Sequence, residues 1–115
     1  MLFNIDKKRI ESIPHRNRYN VWRAGLTDQQ YFEIMEKLEK EFNSNEVKVS
    51  FFIPGTNWDY PYYHIYEACD KEYSFSALFF GLLVWEAAMR HTDTWCFLKY
   101  DDKNIQGMVY FKVMI

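Results

Sequence analysis

A chain of 115 residues, 49% hydrophobic and 26% charged, predicts one folded domain over residues 1–115 and excludes a disordered segment. Its 23 aromatic residues (10 Phe, 9 Tyr, 4 Trp) supply a dense interior, and four Gly with three Pro leave little material for linkers. The net charge of −2 disfavours nucleic acid as a partner, and the longest apolar run, Phe75 to Trp85, falls short of the roughly 20 residues that a membrane span requires.

The first residues, MLFNIDKKRI, carry charges from Asp6 onward, so no signal peptide is expected and the chain is placed in the cytoplasm. Cys69 and Cys96 then read as reduced thiols, each among apolar or aromatic neighbours and filling the core. Residues 1–25 carry Lys7, Lys8, Arg9, Arg16, Arg18 and Arg23 against Asp6 and Glu11, a balance of +4 that leaves −6 for the remainder. This basic segment is expected to lie on its own acidic body. A weaker reading uses Arg16, Arg18, Tyr19 and Arg23 as a nucleic-acid contact. Asn4 or Asp6 is expected to cap a short helix through Ile13, stopped by Pro14. In HRNRYNVWRAG the pattern is ambiguous: Val21 and Trp22 ask for burial, and Gly25 marks an end.

Thr27-Asp28-Gln29-Gln30 has the form of a capping box. Tyr31, Ile34, Met35, Leu38 and Phe42 then recur at spacings of three and four, which predicts a helix over 28–43. Glu46 to Ile53 switches to period two and predicts a half-buried strand, closed by Pro54-Gly55. Residues 74–90, SFSALFFGLLVWEAAMR, predict a second long helix capped by Ser74 or Asp70. It is apolar nearly all round and is therefore expected at the centre, covered on several sides or buried in a homodimer interface. Gly81 is expected to admit a close neighbour, since a glycine in mid-helix otherwise costs roughly 1 kcal/mol relative to Ala. His91, just past this helix, suits a C-terminal cap. Two strands, 94–100 and 108–113, follow around the hairpin loop DDKNIQG. The elements segregate rather than alternate. They predict an α+β fold: a small two-layer domain with a three-stranded, mainly antiparallel sheet packed against two main helices.

The chemistry-bearing motifs are sparse. No Gly-rich phosphate loop, Cys-x-x-Cys pair or Gly-x-Ser-x-Gly elbow occurs, which argues against nucleotide-dependent enzymes, thiolate zinc sites and common hydrolases. No catalytic residue, metal ligand or cofactor is assigned. Attention falls on PGTNWDYPYYHIYEACD, residues 54–70. Trp58, Tyr60, Tyr62, Tyr63 and Tyr66 cannot all enter one core from a segment punctuated by Pro and Gly, so they are expected to form either a core lid or a rigid contact surface. Asp59, His64 and Glu67 lie among them, and His64 and Glu67 share a face at i,i+3 if the segment turns helical.

These observations favour a small, non-enzymatic cytoplasmic protein that binds and modulates or inhibits a protein partner, in an accessory or immunity-type role of bacterial or phage origin. The partner-binding residues are expected among Trp58, Asp59, Tyr60, Tyr62, Tyr63, His64 and Glu67. The alternative is a small-ligand-binding domain or minor enzyme using an aromatic pocket with Asp59, His64 and Glu67. Protein partners and a homodimer fit this reading, whereas nucleic acid and membrane do not.

Overall fold

In the computed structural model, which describes residues 1–44, 47–49, 58–102 and 105–113, the chain runs β1 (Leu2–Phe3), β2 (Arg9–Ile10), α1 (Arg16–Ala24), α2 (Asp28–Ser44), β3 (Val47–Val49), α3 (Tyr63–Ala68), α4 (Tyr73–Arg90), β4 (Trp95–Asp102) and β5 (Ile105–Lys112). This is a small two-layer α+β fold. The described strands form one sheet in the order β2-β1-β4-β5-β3, antiparallel throughout except for the parallel β1–β4 pair. No helix among the described residues is long and apolar enough to cross a membrane.

The capping box forms as its residue types dictate. Thr27 Oγ1 accepts from the Gln30 N–H at 3.1 Å, and Gln30 Oε1 accepts from the Thr27 N–H at 2.9 Å. Behind it Tyr31, Ile34, Leu38 and Phe42 are buried along one face of α2. Phe42 ties that face to the sheet, its ring edge-on to Trp95 (4.8 Å) and Tyr110 (5.8 Å). A second tie runs from α4, where Trp85 lies 4.6 Å from Phe97. Trp95 and Tyr110 are fully enclosed between the layers.

Four expectations need correction. The short helix through Ile13 is absent; Leu2–Phe3 and Arg9–Ile10 pair as strands instead. Asn4 does not cap a helix. Its Oδ1 accepts from the Asp6 and Lys8 N–H groups, both at 2.9 Å, and so folds a tight turn that lets buried Leu2 pair beside Trp95. The cap of α4 is Glu72 rather than Ser74 or Asp70. Asp70 and Lys71 both adopt left-handed conformations (φ 55° and 60°) to reverse the chain after α3, which delivers Glu72 extended, its carboxylate accepting from the Phe75 N–H at 2.7 Å. Gly81 admits no close neighbour, since a Cβ there would meet nothing within 4 Å. The close approach occurs at Gly25, where a Cβ would sit 3.2 Å from the Ala68 Cβ and crowd α3 off α1. Finally, the sheet has five described strands rather than three, and the β4–β5 hairpin extends to the Asp102↔Ile105 pair. Of the strand expected over 46–53, Val47–Val49 is described and the rest lies outside the described residues, as do Pro54 and Gly55.

The ambiguous 15–25 stretch is α1, with Tyr19 and Trp22 inside and Val21 outside. The basic segment is thus built into the fold, and Arg23 reaches the body directly through Asp28 at 3.3 Å. Cys69 and Cys96 are buried and unpaired, and burial pushes the Cys69 thiol up to about 11. His91 does occupy the C-cap of α4, but not as a charged one. Its Nδ1 accepts from the Asp93 N–H (3.0 Å), which leaves Nε2–H to donate to Asn43 Oδ1 (2.7 Å). Burial lowers its pKa, favouring the neutral ring that joins the end of α2 to the end of α4.

Helix α4 is buried along most of its length within its own chain, and Glu86 is its enclosed charged residue. Two hydroxyls meet this carboxyl group: Tyr19 from α1 donates to Oε2 at 2.6 Å, and Tyr31 from α2 donates to Oε1. A buried carboxyl group without donors is strongly disfavoured, so the three helices are locked in one register by a polar contact inside an apolar core. Tyr19→Phe and Tyr31→Phe should each lower unfolding free energy by about 1–3 kcal/mol, because each removes a donor from an enclosed carboxyl group; Arg90, with Nη2 4.0 Å from Oε2, stays beside Glu86 in both. Urea denaturation measures this, and losses under about 0.5 kcal/mol in both variants would show that water already serves Glu86.

Burial, followed by the hydrogen bond to Glu86, raises Tyr31 to about 12, and the same causes raise Tyr19. A folded pKa above the unfolded one means stability is complete below pH 10 and declines as pH rises from there through about 12. Alkaline titration followed by tyrosinate absorbance should therefore show Tyr31 and Tyr19 ionising together with unfolding. Ionisation of every tyrosine before any loss of helix signal would contradict this.

Candidate functional site

The aromatic segment is built on α3 and the start of α4. Trp58, whose backbone is left-handed (φ 52°), puts its ring inside the protein at 3% exposure. Such a φ is costly for a bulky residue and persists where packing over-determines it. Here the ring stacks on Tyr66 (6.1 Å, 18°) and meets the edges of Tyr73 (6.4 Å) and Phe80 (6.2 Å). Tyr62 is equally buried, edge-on to Phe80 at 5.4 Å, and burial raises its hydroxyl pKa. Ile65 follows inside on the same face of α3.

The remaining rings face outward. Tyr60 is 65% exposed, precedes Pro61 through a cis peptide bond, and donates its hydroxyl to Glu33 of α2. That bond raises Tyr60 and lowers Glu33. Tyr63 stands 40% exposed and tilts against Tyr66, while Tyr73 is 55% exposed against Trp58. The segment therefore divides residue by residue: Trp58 and Tyr62 close the core, while Tyr60, Tyr63 and Tyr73 are exposed, Tyr73 against Trp58, Tyr63 against Tyr66 and Tyr60 beside His64.

The titratable residues are less concentrated. His64 and Glu67 do share a face of α3, with Nδ1 3.7 Å from Oε1, too long for a hydrogen bond. Asp59 is exposed and contributes its backbone carbonyl, which accepts from the Tyr62 N–H at 2.8 Å and starts the turn into α3. Among the described residues the buried atoms Trp58 Nε1 and His64 Nδ1 have no hydrogen-bond partner. No three His, Cys, Asp or Glu side chains among the described residues converge to hold a metal ion.

Two surface grooves are lined by other residues. One, of about 340 Å³, lies between α1 and α4 along Asn17, Arg18, Val21, Trp22 and Phe75. The other, of about 290 Å³, lies between α2 and the end of α4, with Phe32, Glu36, Glu39 and Arg90 at its walls. Sequence reasoning missed Tyr73 and both grooves. Tyr73 belongs to the surface because the Asp70-Lys71 reversal folds α4 back along α3, and a period of 3.6 carries no sign of that reversal.

The division into base and surface is measurable by stability. Trp58→Ala should cost about 3–5 kcal/mol by emptying a buried ring site, whereas Tyr63→Ala should stay within about 0.5 kcal/mol. Equal losses in urea denaturation would abolish the distinction.

Set against family models, curated proteins and solved structures, the chain matches none, so its function is argued from its own surface.

Proposed function

We propose that the protein is a non-enzymatic interaction module, cytoplasmic, that binds and modulates or inhibits a protein partner through the outward rings Tyr60, Tyr63 and Tyr73. The observation that carries this reading is the two-tier aromatic array. Its inner members Trp58 and Tyr62 are 3% and 2% exposed; of the outer rings, Tyr73 meets Trp58, Tyr63 tilts against Tyr66 (itself stacked on Trp58), and Tyr60 is held by Glu33 and His64. Tyrosines fixed in this way lose little side-chain freedom on binding, and each offers apolar area with a hydroxyl at its rim. Glu33, Asp59 and Glu67 lie around them and give the surface an acidic border suited to a basic partner. Buried free thiols accord with a reducing compartment.

A second reading has one observation in its favour. His64 Nδ1 is enclosed and unpartnered among the described residues, with the Glu67 carboxylate 3.7 Å away and the Tyr60 ring edge-on at 5.5 Å. A small ligand that donates a hydrogen bond could complete it, and His64→Ala would then abolish ligand binding while leaving the Tyr63 surface competent.

Photo-crosslinking decides between these. A photoreactive residue at position 63 or 73 should capture a discrete protein in cells of the source organism, and one at exposed position 98 should not. Adducts at 98 alone, with none at 63 or 73, would overturn the assignment.

A further inference from the structure

Two large apolar side chains stand outside the fold on neighbouring helices: Val21 on α1 is 70% exposed and Phe32 on α2 is 69% exposed. Neither belongs to the aromatic array. Val21 forms one lip of the groove it shares with Trp22 and Phe75, and Phe75 is itself 45% exposed. Phe32 projects from α2 beside Glu36 and Glu39. The first is an open apolar groove; the second is an exposed ring, a knob at the wall of the groove between α2 and the end of α4.

Their electrostatics are opposite. Helix α1 carries Arg16, Arg18 and Arg23 and no acidic residue, a net +3. Helix α2 carries Asp28, Glu33, Glu36, Glu39 and Glu41 against Lys37 and Lys40, a net −3. Between α1 and α2, Arg23–Asp28 is the ion pair seen among the described residues. Arg16 and Arg18 have no carboxylate within ion-pair distance among the described residues, and Arg18 lines the groove. The Glu36–Lys40 pair on α2 is open to solvent and weakly held.

Their placement suits a reciprocal contact. The groove sits at the N-terminal end of α4, at Phe75, and the knob at its C-terminal end, at Ala87 and Arg90. About 18 Å of helix separates Phe75 from Ala87 at 1.5 Å per residue. Each copy thus carries one groove and one exposed Phe32, so a two-fold axis would pair each Phe32 with the other copy's groove in two equivalent contacts.

We propose that this chain self-associates as a two-fold dimer in which Phe32 of each copy seats in the Val21–Trp22–Phe75 groove of the other, basic α1 facing acidic α2. A membrane fits the same residues less well, since an interfacial face projects its apolar side chains, whereas Trp22 is recessed at 9% exposure and two unpaired arginines attract a bilayer weakly. That recess also removes Trp22 as a stacking platform for nucleic acid.

Sedimentation velocity of the purified chain across concentration and salt tests the proposal. The wild type should show a monomer–dimer equilibrium that weakens as salt rises. V21E and F32S should each weaken the dimer at least tenfold while keeping the wild-type far-UV circular dichroism, because both side chains lie outside the core. Mixing the two variants should restore a heterodimer, since V21E retains a knob and F32S retains a groove. A wild type that stays monomeric at millimolar concentration would overturn the proposal. So would a dimer indifferent to both substitutions, a mixture that fails to associate, or a monomer whose groove instead retains anionic vesicles or acidic peptides.

Discussion

The covering of α4 governs this fold. A helix that is apolar on nearly every side cannot face water, and a short chain must find enough surface to enclose it. Helices α1 and α2, the start of α3 and the sheet each take part of that duty, through Trp22 against Phe79, Tyr31 at Glu86, Tyr62 against Phe80, and Phe97 against Trp85. Hydrophobic burial alone is non-directional and would tolerate several arrangements of these covers. Glu86 removes that freedom. A carboxyl group in the middle of the apolar surface demands donors at fixed positions, and Tyr19 and Tyr31 supply them from two different helices.

The candidate contact surface depends on the same helix. Phe80 of α4 supports both Trp58 and Tyr62; Trp58 in turn meets Tyr73 and stacks on Tyr66, against which Tyr63 tilts. Tyr73 and Tyr63 are thus braced from the core, whereas Tyr60 is braced from α2 by Glu33. This bracing also explains why a segment so rich in rings can be exposed without being loose. The charge asymmetry between α1 and α2 has a different origin. Both helices turn their apolar stripes inward, so the charged residues are left outside, and which sign each helix carries is not constrained by packing.

Much of the local structure was legible in the residues. The capping box at Thr27–Gln30, the stripe from Tyr31 to Phe42 and the apolar length of α4 each rest on interactions within a few residues of one another. The errors fall where a distant partner intervened. Asn4 has the chemistry of both a helix cap and a tight turn, and pairing of β1 with Trp95 and Cys96 selected the turn. Gly81 suggested a close neighbour that in fact meets the chain at Gly25, because the α1–α3 crossing, not α4, brings two backbones together. For the candidate site, the sequence identified the segment but not the roles of its members, since which rings are buried depends on the packing of Trp58 and Tyr62 against Phe80 of a distant helix.

The sequence by itself determined the α+β class, the two long helices, the hairpin and the concentration of aromatic side chains over residues 58–66, all of which follow from spacing and short-range capping chemistry. Tertiary structure alone decided that Glu86 would be answered by Tyr19 and Tyr31, and that Tyr60, Tyr63 and Tyr73 would face outward while Trp58 and Tyr62 were buried. It also decided that Val21 and Phe32 would be left outside. Partners 55 and 67 residues apart are chosen by which surfaces enclose α4, and that choice exists only once the whole chain has closed around it.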